Sequence, residues 1–268
     1  MELRTHPSGV VYLAFRHIQA PHAFSTRLGG VSRDPYHWMN LGWKSGDDPE
    51  RVRENQARFE AAVGFATPPT LEMVHGAEVA IVREPVQERL SGDACVTAVA
   101  GVGMSLTTAD CVPIFYHDPV RNVVALAHAG WRGTLTGVSV TTLEAMIGRF
   151  GTAPPDVRVG IGPAIGPCCF EVDRDVAEQF EERFPEEDLV LPGGATDKFR
   201  IDLWRANESL LRQAGVLPAR IATGGFCTVC RSDLFFSYRR DRGKTGRMLA
   251  CITPAPASEQ GLGELLTR

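Results

Sequence analysis

The sequence predicts a mixed α/β chain, of the α/β or α+β class, from two observations. Short runs rich in β-branched residues alternate with amphipathic segments that have the 3.6-residue period of helices. No linker, internal repeat or low-complexity tract divides the 268 residues. A chain of this length can bury one large core, so we expect a single catalytic domain over residues 1–268.

Composition limits the possible partners. The 28 basic and 32 acidic residues give a net charge of −4 without a long block of one sign, which argues against nucleic acid or an anionic membrane as partner. The uncharged stretch Ala94–Ala109 contains glycine and threonine and is too short to span a bilayer. The first residues lack the basic-then-apolar order of a signal peptide, and the seven cysteines lack a disulfide-framework spacing. We therefore expect a reduced, cytoplasmic protein, either a monomer or a homodimer.

The N-terminal part predicts a strand, a long loop and a helix. The strand is Val10–Arg16, and the glycine-punctuated loop after it contains Arg27. Loops of this length are usually functional or cover a site. Asp48 is a suitable N-cap with Pro49 in the first turn, and Gly64 is a suitable terminator.

Two short strands, Thr70–Val74 and Glu78–Arg83, are predicted next, with His75 at the tip between them. A histidine at a strand tip can reach into a site, although an ordinary turn histidine has the same signature. The segment Ser91–Leu106 supplies more strand-like sequence. The carboxylate of its Asp93 could be no more than a turn-former.

A β-hairpin is the clearest local prediction. The apolar runs Val112–Tyr116 and Val123–Ala127 flank a turn that we centre on residues 119–120. That register places Cys111 directly opposite His128, with Cβ atoms roughly 4.5–5.5 Å apart. A one-residue bulge would break the pairing, because strand side chains alternate between faces.

The hairpin is followed by a glycine-flanked turn and a helix from about Leu135 to Phe150. Free backbone N–H groups gather at a helix N-terminus, and Arg132 lies in the same turn. The corner could bind an anion such as phosphate. The alternative is an ordinary strand–helix connection with a solvated arginine.

The C-terminal part contains cysteines and arginines around further α/β elements. The elements are strands at Val157–Ile161, Arg220–Thr223 and Arg247–Thr253 and helices at Asp173–Phe184 and Asp202–Gly215. Adjacent Cys168 and Cys169 point opposite ways in an extended chain, which makes them poor joint metal ligands. Cys227 and Cys230 form a CxxC without a second pair at zinc-ribbon spacing, so a structural zinc is not expected. The arginines near Arg239 are either a solvated face or anion-binding groups.

Three residues from glycine-flanked strand ends suggest a site: His75, Cys111 and His128. Two imidazoles and one thiolate leave an open position on a tetrahedral zinc, and this ligand set suits zinc or copper. Without metal, the same atoms could form a cysteine nucleophile with a histidine base. Asp110, beside the thiol, could orient a histidine or move a proton. An all-structural role for these residues is the third interpretation.

Motifs along the chain resemble one known family. TRLGGVS, VHGAEV, TADCVPI, AHAGWRGT, GIGPAIGPCCFEV and FFSYRRD follow the motifs of the laccase-domain family of polyphenol-oxidase-like proteins, over roughly residues 20–255. Members of this family are described as purine nucleoside phosphorylases. The resemblance implies His75, Cys111 and His128 as zinc ligands, with copper as the less favoured metal. It also implies a four-layer α/β/β/α sandwich, similar to cysteine hydrolases of the cytotoxic-necrotizing-factor type.

The resemblance further implies phosphorolysis of adenosine, inosine, guanosine and methylthioadenosine, together with adenosine deamination. Arg27, Arg132 or Arg239 could hold phosphate, and Asp110 is the nearest candidate for proton transfer. Relatives often carry glutamine where this chain has Met73, which removes a polar group from the site.

Three other functions are alternatives to this one. A metal-free hydrolase or amidase using Cys111 and His128 could edit cell-wall peptide precursors. A non-catalytic subunit could bind nucleoside within a larger assembly. A multicopper oxidase needs more ligands than one His/Cys/His cluster provides.

Overall fold

The computed structural model describes residues 1–68, 70–85 and 90–256, so Pro69, residues 86–89 and residues 257–268 of the expected domain lie outside the described residues. The strands are β1 Glu2–Thr5, β2 Val11–Ala14, β3 His22–Ser25, β4 Val79–Val82, β5 Ala94–Thr97, β6 Met104–Thr108, β7 Val112–Asp118, β8 Val123–Ala129, β9 Arg158–Ile161, β10 Glu171–Asp173, β11 Val190–Pro192, β12 Lys198–Ile201, β13 Ile221–Thr223 and β14 Met248–Ile252. The α-helices are α1 Pro49–Val63, α2 Trp131–Thr136, α3 Val138–Phe150, α4 Arg174–Arg183 and α5 Leu203–Gln213. Single 3₁₀ turns occupy Pro154–Asp156 and Pro218–Arg220.

The described strands form three sheets. The five-stranded sheet has the order β1-β2-β3-β14-β6, and the six-stranded sheet has the order β13-β9-β7-β8-β5-β4. A small sheet of order β10-β12-β11 completes the set. Neighbouring strands are antiparallel except in the pairs β4–β5 and β9–β13, which are parallel.

The two large sheets pack face to face. Phe24 and Leu106 of the five-stranded sheet share a buried cluster with Phe115 and Leu126 of the six-stranded sheet. All seven residues of β7 and all seven of β8 are buried, so both faces of this hairpin are covered. Burial on both faces explains why these strands read as continuous apolar runs in the sequence.

Helices cover the outer faces of both sheets. Phe59 of α1 packs with Cys251 on the five-stranded sheet. On the far side of the six-stranded sheet, Ile114 packs with Leu143 of α3 and Leu210 of α5. The order from one side to the other is helix, sheet, sheet, helices. The mixed α/β class is confirmed, while the likeness to cytotoxic-necrotizing-factor-type hydrolases stays a prediction.

Helix α1 has the ends that its sequence predicts. The Asp48 carboxylate accepts the N–H of Glu50 at 3.0 Å, and Pro49 is the first helical residue. Gly64 ends the helix with φ of 82°, a left-handed conformation that glycine adopts without steric cost. Local capping chemistry therefore determines both ends of this helix.

Two predicted elements were wrong. The segment Thr70–Val74 is not a strand, because the N–H of Leu71 bonds to Ser105 while the N–H of Glu72 bonds to Leu90, so it follows no single partner. The helix predicted to begin near residue 135 is two helices, since Gly137 has φ of 82° between α2 and α3. Among the described residues, we find no helix with the length and apolar character needed to cross a membrane.

Candidate active site

The β7–β8 hairpin is present, but its register differs from the predicted one. Pro113 pairs with His128, and the loop between the strands has four residues, 119–122, rather than two. Asp118 explains the longer loop, because its Oδ1 accepts the N–H groups of Val120 at 2.9 Å and Arg121 at 3.1 Å. The prediction that Cys111 lies directly opposite His128 is therefore wrong by two residues along β8.

The side chains of His75, Cys111 and His128 nevertheless converge, and Gly130 lies between them. A β-carbon placed on Gly130 would lie 3.3 Å from the Cys111 Sγ, 3.9 Å from His128 Cε1 and 3.9 Å from His75 Cδ2. The two imidazole rings have centroids 5.2 Å apart and are nearly perpendicular. The absence of a side chain at Gly130 leaves the space that the three groups face.

Asp93 connects the two histidines. Its Oδ1 accepts the N–H of His75 at 2.6 Å, its Oδ2 accepts the N–H of Gly76 at 2.8 Å, and its carbonyl accepts the N–H of His128 at 2.7 Å. These bonds hold His75 at φ of 61°, a left-handed conformation that is uncommon for a residue with a side chain. Asp93 is therefore more than a turn-former, because this buried carboxylate holds the backbone of His75 and Gly76 in place.

Asp110 also has a positive φ, of 96°. Its Oδ1 accepts the Thr228 hydroxyl at 2.6 Å, and its Oδ2 accepts the Ser237 hydroxyl at 3.1 Å and the Arg239 N–H at 2.7 Å. These three donors on one buried carboxylate join the segment between β13 and β14 to the start of β7. This arrangement favours a positioning role for Asp110 over the predicted proton transfer.

Burial controls the protonation of the central residues. Burial, and secondarily the neighbouring His75, lowers the pKa of His128 to about 4. The Nδ1 of His128 is buried and has no hydrogen-bond partner among the described residues. Burial, followed by the negative charge of Asp110, raises the pKa of Cys111 to about 12, while Arg247 acts in the opposite direction. In the protein without metal, the imidazole is neutral and the thiol is protonated at neutral pH.

A cavity of about 500 Å³ opens onto these groups. Its lining residues are Met73, His75, Thr107, Thr108, Ala109, Asp110, Cys111, His128, Trp131, Ile165, Phe170, Leu203, Tyr238, Arg239 and Arg247. Three aromatic rings and several aliphatic groups make most of the wall apolar. This volume is within the roughly 300–1,000 Å³ of typical small-molecule sites.

Two arginines line the cavity. Arg239 is one of the three arginines predicted to bind phosphate. Its Nη1 donates to the Glu171 carbonyl at 2.8 Å. Arg247, which the sequence analysis did not single out, donates from Nη1 to the carbonyls of Thr245 at 2.8 Å and Gly246 at 3.0 Å. Burial lowers the pKa of Arg247. Within the described part of the chain, the Nε and Nη2 of both arginines have no hydrogen-bond partner.

The other two predicted arginines lie elsewhere. The Arg27 Nε donates to the His37 carbonyl at 2.8 Å and its Nη1 to the Ser232 carbonyl at 3.0 Å, so this guanidinium holds loops together. Arg132 is exposed and lies over the Trp131 ring at 4.2 Å from its centroid. Neither is among the described residues that line the cavity.

Four cysteines form a second cluster outside this cavity. The Sγ atoms of Cys168, Cys169, Cys227 and Cys230 all lie within 4.8 Å of one another. The prediction that Cys168 and Cys169 are poor joint ligands was wrong, because they lie in a turn rather than an extended segment. Among the described residues, these four cysteines are the group whose ligand atoms all lie within 4.8 Å of one another. The ligand atoms of His75, Cys111 and His128 are farther apart than this limit.

Comparison with known proteins identifies the family. A family model described as multi-copper polyphenol oxidoreductase laccase matches residues 21–255. A Deinococcus radiodurans protein named purine nucleoside phosphorylase is 41% identical over 258 residues, which are 96% of this chain and 97% of that protein. Purine nucleoside phosphorylase YlmD of Geobacillus stearothermophilus is 40% identical over 243 residues, covering 85% and 88% of the two chains.

Solved structures agree with this assignment. The crystal structure of YlmD from Geobacillus stearothermophilus matches with a TM-score of 0.86 and 36% identity, covering 94% of this chain and 98% of that one. The structure of the hypothetical protein YfiH from Bacillus licheniformis matches with a TM-score of 0.85 and 31% identity at the same coverage. The chain therefore belongs to the laccase-like family described as multi-copper polyphenol oxidoreductase laccase, which the sequence motifs predict.

Proposed function

We propose that this protein is a zinc-dependent purine nucleoside phosphorylase that also deaminates adenosine. Its substrates would be adenosine, inosine, guanosine or methylthioadenosine with phosphate, and its products the base and the ribose 1-phosphate. The relatives' names support this class of reaction. The observation that carries the proposal is the convergence of His75, Cys111 and His128 on Gly130 in a cavity that also contains two arginines. We further expect a cytoplasmic monomer or homodimer.

The residues around Gly130 fit a zinc ion by their chemistry. Neutral imidazoles and a cysteine sulfur are typical zinc ligands, and three protein ligands leave a position open for substrate. The unpartnered Nδ1 of buried His128 is a polar atom that lacks a partner in the described structure, as a metal ligand would. Zinc bound there would supply a Lewis acid and would lower the pKa of water. Copper is the less favoured alternative, because a multicopper centre needs more ligands than this one cluster of two histidines and one cysteine provides.

The cavity walls suit a purine nucleoside. The rings of Trp131, Phe170 and Tyr238 offer flat surfaces against which a base can stack. Met73 provides a polarizable, apolar contact where relatives often have an amide, so we expect the base to be held more by packing than by a hydrogen bond there.

Arg239 and Arg247 are the groups that we assign to phosphate. Each has one Nη atom anchored on a backbone carbonyl and its remaining N–H groups without a partner in the described chain. Fixed guanidinium groups bind phosphate through bidentate hydrogen bonds. In phosphorolysis, a phosphate oxygen forms a bond to C1′ of the ribose while the C1′–N9 bond breaks and its electron pair leaves with the purine. The arginines would orient the attacking phosphate for this step.

The geometry offers less support to a metal-free cysteine hydrolase. A cysteine nucleophile needs a base within hydrogen-bond reach. No hydrogen bond joins Cys111 to His128 among the described residues, and the His128 Nδ1 is without a partner. A non-catalytic, nucleoside-binding subunit would use the same cavity, so turnover is the measurement that separates it from the enzyme.

The test is incubation of purified, zinc-loaded protein with each of the four nucleosides, with and without phosphate, followed by chromatography. Phosphate-dependent release of base and ribose 1-phosphate supports phosphorolysis, and inosine formed from adenosine supports deamination. We expect Cys111→Ala and His128→Ala to abolish both reactions. We expect Arg247→Gln to raise the KM for phosphate by about tenfold or more, since a charge-assisted hydrogen bond is worth roughly 1.5–3 kcal/mol.

The matched control is Arg212→Gln, which removes an exposed guanidinium from helix α5. It should leave the KM for phosphate unchanged. Absence of any product with all four nucleosides would refute the proposed enzyme and favour the binding subunit. Rapid alkylation of Cys111 by iodoacetamide in metal-loaded protein would favour the cysteine hydrolase instead.

A further inference from the structure

The four-cysteine cluster joins two loops that are distant in sequence. Cys168 and Cys169 lie in the loop after β9, and Cys227 and Cys230 lie in the loop after β13. Strands β9 and β13 are parallel neighbours, so both loops leave the same end of the six-stranded sheet. The pairing continues beyond the strands through an isolated parallel bridge between Ala164 and Cys227. Backbone hydrogen bonds between the two chain segments therefore bring the two cysteine pairs next to each other.

The sulfur positions match the size of a single ion. The Cys230 Sγ is 3.6 Å from that of Cys168 and 3.5 Å from that of Cys169. All four cysteines are free thiols. In a tetrahedral site with zinc–sulfur bonds of about 2.3 Å, neighbouring sulfur atoms are about 3.8 Å apart. The observed separations are close to this edge length and far above the roughly 2.05 Å of a disulfide bond.

Backbone donors and one arginine support the CxxC pair. The N–H of Gly166 donates to the Cys227 Sγ at 3.3 Å, and the N–H groups of Val229 and Cys230 also interact with this sulfur. N–H groups directed at a sulfur stabilise a thiolate rather than a thiol. The Arg240 Nη1 donates to the Thr228 carbonyl at 3.0 Å, which holds the loop between the two cysteines. These contacts are typical of the supporting hydrogen bonds around a bound metal.

We propose that Cys168, Cys169, Cys227 and Cys230 bind one zinc ion in a closed, structural site. Four protein thiolates leave no open position, so this ion would hold structure and take no part in catalysis. Binding Zn²⁺ to four thiols forms four zinc–sulfur bonds and releases four protons to solvent, with no change in oxidation state. The proposal is independent of the nucleoside chemistry proposed above.

The zinc would stiffen one wall of the cavity. The first loop continues into Phe170, and Ile165 precedes the cysteine pair. The second loop contains Thr228, whose hydroxyl donates to the Asp110 carboxylate at 2.6 Å. Loss of the ion should therefore loosen the contacts of Asp110 as well as the loops themselves.

The test is the zinc content per chain of the full-length protein after reconstitution with Zn²⁺ under reducing conditions. We expect Cys227→Ser/Cys230→Ser to contain one zinc fewer than the wild type. The control is Cys251→Ser, which replaces a buried thiol that donates to the Ala23 carbonyl with a hydroxyl that can do the same. It should retain the full content. Cobalt in place of zinc should lose its tetrathiolate absorption in the double variant only.

A second measurement protects the test against a double variant that fails to fold. In the wild type, alkylation followed by peptide mapping should show the four cysteines protected with zinc and reactive after chelation. Equal zinc content in the wild type and a folded double variant would overturn the proposal. Reaction of the four thiols at the same rate with and without zinc would overturn it as well, as would a disulfide within the cluster of the reduced, zinc-loaded protein.

Discussion

Replacement of Gly130 by alanine is the sharpest test of the candidate active site. The backbone at Gly130 has φ of −69° and ψ of 174°, which any residue adopts, so alanine introduces no backbone strain. Its methyl group would lie 3.3 Å from the Cys111 Sγ and 3.9 Å from ring atoms of both His75 and His128. The substitution therefore adds one carbon atom at the point where the three groups meet.

The expected change in the free energy of unfolding is small. Gly130 is the N-cap of α2, where alanine is less favourable than glycine by about 1 kcal/mol. The reduced entropy of the unfolded chain offsets this by about 0.4–1 kcal/mol. The contact with Cys111 requires a shift of a few tenths of an ångström. Because these effects nearly cancel, we expect the melting temperature to change by no more than about 4 °C.

The expected change in zinc binding is much larger. A displacement of metal ligands by a neighbouring substitution typically weakens binding by about 10–100-fold, and we expect a loss of this size with a parallel loss of phosphorolysis. The assays are competitive zinc titration and product chromatography. The matched control is Gly148→Ala in helix α3, where the added methyl meets nothing within 4 Å. It should raise the stability by about 1 kcal/mol and leave zinc binding unchanged. Normal zinc affinity and turnover in a folded Gly130→Ala variant would refute the site.

Three further predictions concern buried polar groups. Asp93→Asn replaces an acceptor of one backbone N–H with an amide donor, so we expect urea denaturation to show a loss of about 1–3 kcal/mol together with weaker zinc binding; stability and affinity equal to the wild type would contradict the role of Asp93. Asp110→Asn should lower kcat/KM without moving the pH profile if Asp110 positions Arg239 and Thr228, whereas loss of one limb of the profile would restore proton transfer. His22 accepts the Phe15 N–H at Nε2 and donates from Nδ1 to the Ala20 carbonyl, and burial lowers its pKa to about 4. As the pH falls, His22 is therefore protonated in the unfolded chain before it is protonated in the folded protein. We expect the free energy of unfolding to fall by about 3 kcal/mol between pH 6.5 and pH 4. Denaturation of His22→Gln over this range should show a shallower decline, and an equal decline would exclude His22 as its cause.

The predictable parts of the structure are those decided by local chemistry. Both ends of α1 follow from Asp48 and Gly64, since a cap is a contact between residues a few positions apart. The hairpin strands follow from two apolar runs that are close in sequence. The segment Thr70–Val74 has the same apolar character as a strand, yet its N–H groups bond to two different partners. That outcome depends on the arrangement of the sheets, which periodicity does not contain.

The missed site residues depend on contacts between distant segments. Asp93 is 18 residues from the N–H of His75 that it holds. Arg247 enters the cavity because β14, at the end of the described chain, pairs with β6 next to the hairpin. The one available signal for Asp93 was an acidic residue at the start of a buried, apolar strand, where a carboxylate needs hydrogen-bond partners. Nothing within a few residues of Arg247 distinguishes it from the other arginines near it.

The convergence of His75, Cys111 and His128 was predicted although the predicted register of the hairpin was wrong. The reason is the two-residue period with which strand side chains alternate between faces. Side chains on a strand alternate with period 2, so a slip of two residues moves Cys111 along the same face. The longer loop formed with Asp118 produced a slip of this kind, and the Cys111 Sγ still faces the space beside Gly130. A slip of one residue would have placed the thiol in the opposite core. When the turn length is wrong by an even number of residues, each side chain is therefore still assigned to the correct face of the hairpin. The assignment of directly opposed residue pairs is then wrong.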